Sequence, residues 1–281
     1  MSKRNLTFEF CDRFVKDFEH VVEHPIVGNS SVYYTGVDLG TACVVLAVLD
    51  ENYKPVAGAY RYADVVRDGM VVDYIGAINI VREMKHEIEE KLGKELIYGA
   101  AAIPPGTDEL DSGAVKNVVQ AAGFELTNVL DEPTAANKVL KIKDGAVVDI
   151  GGGTTGISIL KDGKVVYIAD EPTGGTQFSL VISGAYKMPF SEAELYKRNP
   201  ENHKELLPIL RPVVEKISSI INQHIKGYNV QEISLVGGTC CLGGIEKIIE
   251  KRTGIFTHKP KNPMFVTPLG IALSCTQESI G

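Results

Sequence analysis

The stretch VVDIGGGTTGISIL, Val147 to Leu160, limits the possible folds more than any other. An apolar β-branched run ends in Asp149, three bare glycines follow, and an alternating run resumes at once. In a dinucleotide-binding fold the glycine loop opens a helix, whereas this one opens a second strand. A Walker A loop needs G-x-x-x-x-G-K-[ST], which the chain lacks. What remains is a tight β-hairpin whose turn presents backbone N–H groups as a concave nest for phosphate oxygens. Glycine lets those amides approach a ligand because no Cβ intervenes.

The pattern occurs twice. GVDLGTACVVLAVLDENYKPV puts Asp38 where VVDIGGGTTGISILKDGKVV puts Asp149. Both aspartates end an apolar strand, precede glycine and a threonine (Thr41, Thr154), and lead into a second strand and a turn. Either copy alone reads equally well as a plain hairpin turn; two copies in register favour a shared chemistry. An aspartate beside a polyphosphate is unfavourable unless a cation sits between them. Mg²⁺ keeps several waters and bridges carboxylates to phosphates, which suits two facing aspartates. In SLVGGTCCLGGIEKII, Gly237-Gly238 lies between a strand and a helix. There a flat base or ribose can rest on bare backbone, or the glycines simply make a strand–helix turn. Cys240 and Cys241 read as small apolar pocket liners, and Cys43 sits inside the first turn.

Around these motifs the chain is organised as two similar halves. Residues 5 to 24 place Phe8, Cys11, Val15, Phe18 and Val22 at spacings of three and four, an amphipathic helix. Its stripe suits packing on the body of the protein or docking to a partner. Pro25 and Val27 to Ser31 read as a linker. Strands YYTGVDLG, TACVVLAVLD and KPVAGAY follow, then a helix over 75–92, a buried strand IYGAAAIP, a helix from Glu109 to Ala122, and NVLDE leading into helix PTAANKVLKI. The second half repeats the opening with GAVVDIGGG, TTGISILKDG and KVVYIADE. A long helix from about Glu201 to Lys226, strand EISLVGG, helix LGGIEKIIEKRTG and a last helix PLGIALSCTQES complete it. A duplication with a cleft between the halves accounts for this order.

Composition narrows the function. With 281 residues the chain is long enough for two compact units, and a net charge of −7 argues against a nucleic-acid surface, which is normally basic. No run approaches the ~18 apolar residues that span a bilayer, and MSKRNLTFEF has no signal-peptide core. Five cysteines without a C-x-x-C pair predict neither disulfides nor a zinc site. The expectation is a cytoplasmic protein with no membrane and no nucleic-acid partner.

These motifs together resemble those of the actin-like ATPases, the superfamily of DnaK-type chaperones, MreB and the sugar kinases. GVDLGTAC is similar to the first phosphate motif and VVDIGGGTTGISI to the second. LDEPTAAN resembles the first connecting helix, LVGGTCCLGGI the adenosine motif and TPLGIAL the second connecting helix. RDGMVVDYIGA looks like the MreB branch. Compact length, GGT from Gly174 to Thr176 and LVGGTCC look like the EutJ family, chaperone-like proteins encoded with ethanolamine utilisation. The implied fold is α/β, an actin-like (ribonuclease H-like) duplicated fold with two lobes around a nucleotide cleft and reduced outer subdomains. Residues 1–30 would form the helix and linker, 31–145 lobe I, 146–267 lobe II, with the helix 268–281 packing back on lobe I.

The resemblance implies ATP and Mg²⁺ as ligands. Asp38 and Asp149 would hold the metal through its waters, and Glu132 would position the attacking water. Gly40, Thr41, Ala42, Gly151, Gly152, Gly153 and Thr154 would meet the phosphates. Gly174 and Gly175 would lie near ribose and phosphates, Gly237 and Gly238 under the adenosine, and Lys197 would pack on it; a solvated helix is the other reading of Lys197. Two departures point to slow hydrolysis. Gly156 stands where the chaperones carry a second aspartate, and their catalytic lysine lies in an insertion that is missing between Tyr60 and Gly69, with Arg67 no match for it. Between Gly175 and Glu201 there is little room for the lobe that covers adenine in larger relatives. The expectation is an ATP-dependent switch acting on a protein partner from ethanolamine utilisation, an enzyme or microcompartment component. The alternative is an actin-type filament or assembly scaffold.

Overall fold

A computed structural model describes residues 3–67 and 69–278, with side chains from Glu9 onward. Its first part runs α1 (Lys3–Glu23), β1 (Tyr34–Leu39), β2 (Cys43–Leu49), β3 (Pro55–Tyr62), a small hairpin of β4 (Val66–Arg67) and β5 (Met70–Val71), α2 (Tyr74–Leu92), β6 (Tyr98–Ile103), α3 (Glu109–Ala121), β7 (Glu125–Asp131) and α4 (Glu132–Leu140). The second part runs β8 (Gly145–Ile150), β9 (Thr155–Lys161), β10 (Lys164–Glu171), α5 (Gly175–Tyr186), α6 (Phe190–Arg198), α7 (His203–Ile225), β11 (Glu232–Val236), α8 (Ile245–Thr253), β12 (Phe256–His258) and α9 (Val266–Ala272).

Two five-stranded sheets have the same order, β3-β2-β1-β6-β7 and β10-β9-β8-β11-β12. In each, an antiparallel meander joins a parallel pair through its first strand, β1 to β6 and β8 to β11. The central strands are buried on both faces, as strands with helices on either side must be. On α7, Leu206, Leu210, Val214, Ile217, Ile221 and Ile225 repeat at three and four residues, and this stripe is buried against the second sheet.

Between the sheets lie α4 and α9, which cross where a β-carbon at Gly270 would stand 1.8 Å from the carbonyl oxygen of Ala135. Ala135, Ala136 and Ala272 are fully buried there. Only small residues let two backbones come this close. α9 also lies on β1, where a β-carbon at Gly36 would meet Pro268 O at 2.4 Å. The expected last helix, 268–281, is shorter: it ends at Ala272. Ser274 Oγ and N–H both bond Ile271 O, tightening the last turn. Beyond it, the Thr276 N–H donates to Thr127 Oγ1, a tertiary contact that draws the chain away from the helix axis. Residues 279–281 lie outside the described part.

Residues 175–198, which the sequence leaves without helices ahead of Glu201, form α5 and α6. The ambiguity of the first stripe resolves toward packing on the body: Cys11, Val15 and Phe18 are fully buried in one cluster with α4 and α9. Phe18 lies on bare backbone at Gly58, where a β-carbon would stand 2.4 Å from its ring, and meets Phe265 edge-on at 5.1 Å. Phe8, the first residue of that stripe, falls among side chains outside the description. Replacing Phe18 with alanine should therefore cost ~3–5 kcal/mol, as for other buried aromatic residues. Urea unfolding of Phe18→Ala checks this, and a loss below ~1 kcal/mol would mean that α1 is a loose appendage.

Candidate functional site

The two glycine motifs form hairpins of one design. Leu39 pairs with Val44 and the Gly40 N–H donates to Cys43 O at 3.1 Å; Ile150 pairs with Thr155 and the Gly151 N–H donates to Thr154 O at 3.0 Å. Asp38 and Asp149 consequently occupy the same register, opposite Val45 and Gly156. The turns face each other and touch: a β-carbon at Gly152 would stand 3.0 Å from the Ala42 Cβ.

They enclose a cavity of about 140 Å³ whose wall includes Asp38, Gly40, Thr41, Ala42, Glu132, Asp149, Gly151, Gly152, Gly153, Thr154, Lys197, Gly237 and Gly238. A second cavity of about 560 Å³ shares Tyr62, Lys197, Arg198, Gly238 and Thr239 with it and continues past Phe178, His203 and Cys241. Pockets for nucleotide-sized ligands run to ~300–1,000 Å³. The larger chamber meets that range, whereas phosphates between the turns require the hairpins to part.

The second hairpin is fastened from behind. The N–H groups of Gly175 and Thr176, at the start of α5, donate to Gly151 O (2.9 Å) and Gly152 O (2.8 Å), and Thr239 Oγ1 donates to Gly151 O at 2.7 Å. Because N–H and C=O of a trans peptide point in opposite directions, the amides of Gly152 and Gly153 are aimed away from α5. Gly174 and Gly175 thus support the hairpin rather than line either cavity; a β-carbon at Gly174 would meet Gly151 O at 2.8 Å. Gly237 adopts φ +90°, and its missing side chain leaves room for Asp149, whose Oδ1 a β-carbon would approach to 2.3 Å. Gly238 has open space where a β-carbon would be. Cys240 is fully buried in the core, whereas Cys241 lines the larger cavity.

Charge is concentrated here. Thr267, at the start of α9, donates to Asp149 Oδ2 at 2.7 Å. Withdrawal from water pushes Asp149 up to about 6; withdrawal from water and the Asp149 carboxylate push Asp38 up to about 7. Burial raises Glu132 well above the carboxylate range, with Asp149 and Asp38 adding to it. Asp131 caps α4 by accepting from the Thr134 N–H at 2.9 Å, which fixes Glu132 as its first residue. Neither Asp38 nor Asp149 is drawn down by a cationic side chain. Among the described residues no three His, Cys, Asp or Glu side chains converge as direct metal ligands. A hydrated divalent cation suits that donor set: two carboxylates with water and phosphate completing its shell.

Lys197 is not the solvated lysine of the other reading. Its side chain is 14% exposed, and its Nζ meets Glu194 Oε1 at 2.6 Å and donates to Gly175 O at 2.9 Å. Burial lowers its pKa against the pull of Glu194. Glu194 also accepts from Ser179 Oγ and, at 3.1 Å, from Arg198 Nη2. The Arg198 guanidinium lies 3.6 Å from the centre of the Tyr62 ring, joining α6 to β3 across the cavity mouth. Thr239, Thr267, Glu194, Arg198 and Tyr62 were not singled out from the sequence. The spacing of Glu194, Lys197 and Arg198, on one face of a helix, was the available signal. Also unforeseen is α1 at this chamber: Glu19, Val22 and Glu23 line its far side, and Asn262 Nδ2 donates to Glu19 Oε1 at 2.7 Å.

Comparison with known proteins adds four likenesses. Residues 116–264 match the family model described as type IV pilus assembly protein PilM. The ethanolamine utilization protein EutJ of Salmonella typhimurium is 46% identical over 242 residues, covering 86% of this chain and 85% of that protein. A crystal structure of EutJ from Carboxydothermus hydrogenoformans superimposes with a TM-score of 0.90 at 46% identity, covering 95% of this chain and 99% of that one. MreB5 of Spiroplasma citri bound to AMPPNP superimposes with a TM-score of 0.71 at 17% identity, over 87% of this chain and 96% of that one, which establishes a shared actin-like fold.

The carboxylate cluster makes stability depend on pH. Raised from 3.8 to about 7 and about 6, Asp38 and Asp149 hold protons that the unfolded chain has already lost. Their contribution is complete below about pH 4 and drains away as pH rises through 6 and 7. In metal-free protein, Asp38→Asn should raise the melting temperature at pH 8 and flatten its decline from pH 5 to 8. A parallel pH profile for the variant and the parent would contradict the assignment.

Proposed function

The chain belongs to the EutJ family of ethanolamine utilization proteins, and we propose that it is an ATP-binding, Mg²⁺-dependent actin-fold switch acting on an enzyme or microcompartment component of ethanolamine breakdown. One observation carries the ATP reading: two identical hairpins face each other, each with a half-buried or buried carboxylate in the same register, beside a chamber of nucleoside size. The amides of Gly152 and Gly153, with Gly40, Thr41, Ala42 and Thr154, would receive phosphate oxygens. Asp38 and Asp149 would hold hydrated Mg²⁺, which supplies the charge that lets carboxylates and phosphates share the cleft. Gly237 and Gly238 would carry the nucleoside, with Lys197 at its edge and Gly174-Gly175 holding the second hairpin in shape.

Hydrolysis would be slow. Positioning is most of catalysis in phosphoryl transfer, and Glu132, which lines the cavity, would be the residue that orients a water there. Gly156 offers no side chain to help it. The touching turns support the switch reading: a triphosphate would have to part Gly152 from Ala42, and the two halves meet at the α4–α9 crossing, whose small residues would permit a shear.

Calorimetry should find saturable Mg·ATP binding that weakens at least ~10-fold with EDTA, a dependence that Asp149→Ala removes; equal affinity with and without the metal would defeat the reading. Glu132→Gln should retain binding and lower single-turnover hydrolysis by ~10-fold or more, the scale of a lost general base. Unchanged hydrolysis would remove Glu132 from the chemistry. ATP-dependent pelleting of the purified protein would favour the assembly-scaffold alternative over a monomeric switch.

A further inference from the structure

A concavity larger than either of those two has no part in the nucleotide site. A groove of about 1,020 Å³ lies between the outer face of α1, the turn joining β2 to β3, and the end of α4. Its apolar surface comes from Phe10 and Phe14, stacked with ring centres 5.8 Å apart, and from Tyr53, itself stacked on Tyr34 at 5.0 Å. Phe10, Tyr53 and Ile26 are exposed at 37%, 40% and 51%, although α1 as a whole is firmly packed. An apolar surface of this kind on an otherwise ordered face is what a partner covers.

Charge says which partner. Arg13, Lys54, Lys138 and Lys141 line the groove, from three separate elements, on a chain whose net charge is −7. All four are exposed, and among the described residues none of them is in an ion pair. Lys141 Nζ lies 4.6 Å from the centre of the Phe10 ring, so cation and aromatic surface are adjacent. Of the two acidic side chains lining the groove, Asp50 is taken up by its own turn, accepting from the Asn52 and Lys54 N–H groups at 2.8 and 2.9 Å. Asp17 is left against four cations, with His20 beside it. Lys138 and Lys141 also suit the negative end of α4. That local reason does not account for Arg13 and Lys54 converging on the same space.

We propose that this groove docks an acidic amphipathic helix of a protein partner. Its apolar stripe would lie on Phe10, Phe14 and Tyr53, with carboxylates along its edges meeting Arg13, Lys54, Lys138 and Lys141. This is the helix-in-groove mode of recognition, in which apolar anchors give affinity and flanking charge gives selection and orientation. The docking stands apart from the nucleotide reading and needs no nucleotide to be tested.

The probe is a fluorescein-labelled designed peptide of about four helical turns, with Leu at i, i+3, i+4 and i+7 and Glu on the flanks, and its twin with Lys for every Glu. Anisotropy with the full chain should give saturable binding of the acidic peptide below ~100 μM, at least ~10-fold tighter than the basic twin, and weakened by salt. Arg13→Glu combined with Lys54→Glu should reverse the preference without moving the melting temperature. Lys247→Glu with Lys251→Glu, on exposed positions of α8, should leave it as it was. Equal binding of both peptides, no saturation by the acidic one, or an unreversed preference in the Arg13/Lys54 variant would overturn the proposal. So would a dimer in sedimentation that Phe10→Asp dissolves, since the groove would then belong to a second copy of the chain.

Discussion

The hydrogen bond from Thr267 to the Asp149 carboxylate ties together the parts that make the cleft. Asp149 ends the central strand β8, Thr267 begins α9, and the carboxylate fits only because Gly237, after β11, has no side chain. One buried oxygen pair thus fixes the second hairpin, the Gly237-Gly238 turn and a crossing helix relative to one another. A buried carboxylate with a single neutral donor is poorly compensated, and its raised pKa is the electrostatic record of that. The fold tolerates the cost because β8 is buried along its full length and its Ala146, Val148 and Ile150 belong to an apolar core.

That cost has a direction. Asp38, Asp149 and Glu132 come from three elements; Asp149 raises Asp38, and both raise Glu132, so their closeness opposes folding wherever all are ionised. No core-packing argument asks for three acids here. Sequences depart from local preference of this sort at sites where function demands it. On the proposed reading, the cation that relieves the repulsion is the one that accompanies the nucleotide, and ligand binding and cleft stability become one equilibrium.

How much of this could be read from the residues depended on the range of the interactions. The hairpins were legible because Asp-x-Gly followed by an alternating strand is local turn chemistry, and its repetition at Asp38 and Asp149 disclosed the duplicated sheets. The connecting helix was equally plain from PTAANKVLKI with Pro133 in its first turn, and the structure adds Asp131 as its cap. The end of α9 was not, because the contact of Thr276 with Thr127 that diverts the chain joins residues 149 positions apart. Helices α5 and α6 were hidden by Gly174-Gly175 and Pro189, which punctuate the sequence as a loop would. Lys197 reads as solvated until Glu194, Ser179 and Gly175 are seen to enclose it. The place of α1 beside the larger cavity rests on Glu19 meeting Asn262, which no spacing within the helix announces.

The helix α4 gives these separate features a common axis. Its first residue, Glu132, lines the cavity between the hairpins, and its far end carries Lys138 and Lys141 into the groove beside Phe10. Nine residues of helix span ~13 Å, and a helix that short moves as a rigid body. Its middle, Ala135 and Ala136, is held by Gly270 at the crossing, where the backbones touch and no side chain is present to yield. A shift that parts the two hairpins would either slide α4 along α9 or carry both helices together, and in the first case the two groove lysines would be displaced relative to Leu273, which follows α9 in the groove wall. The groove would change shape with the cleft without any further device. In a fold of two sheets joined by two crossing helices, the far end of either helix is where motion of the cleft would become visible to a partner.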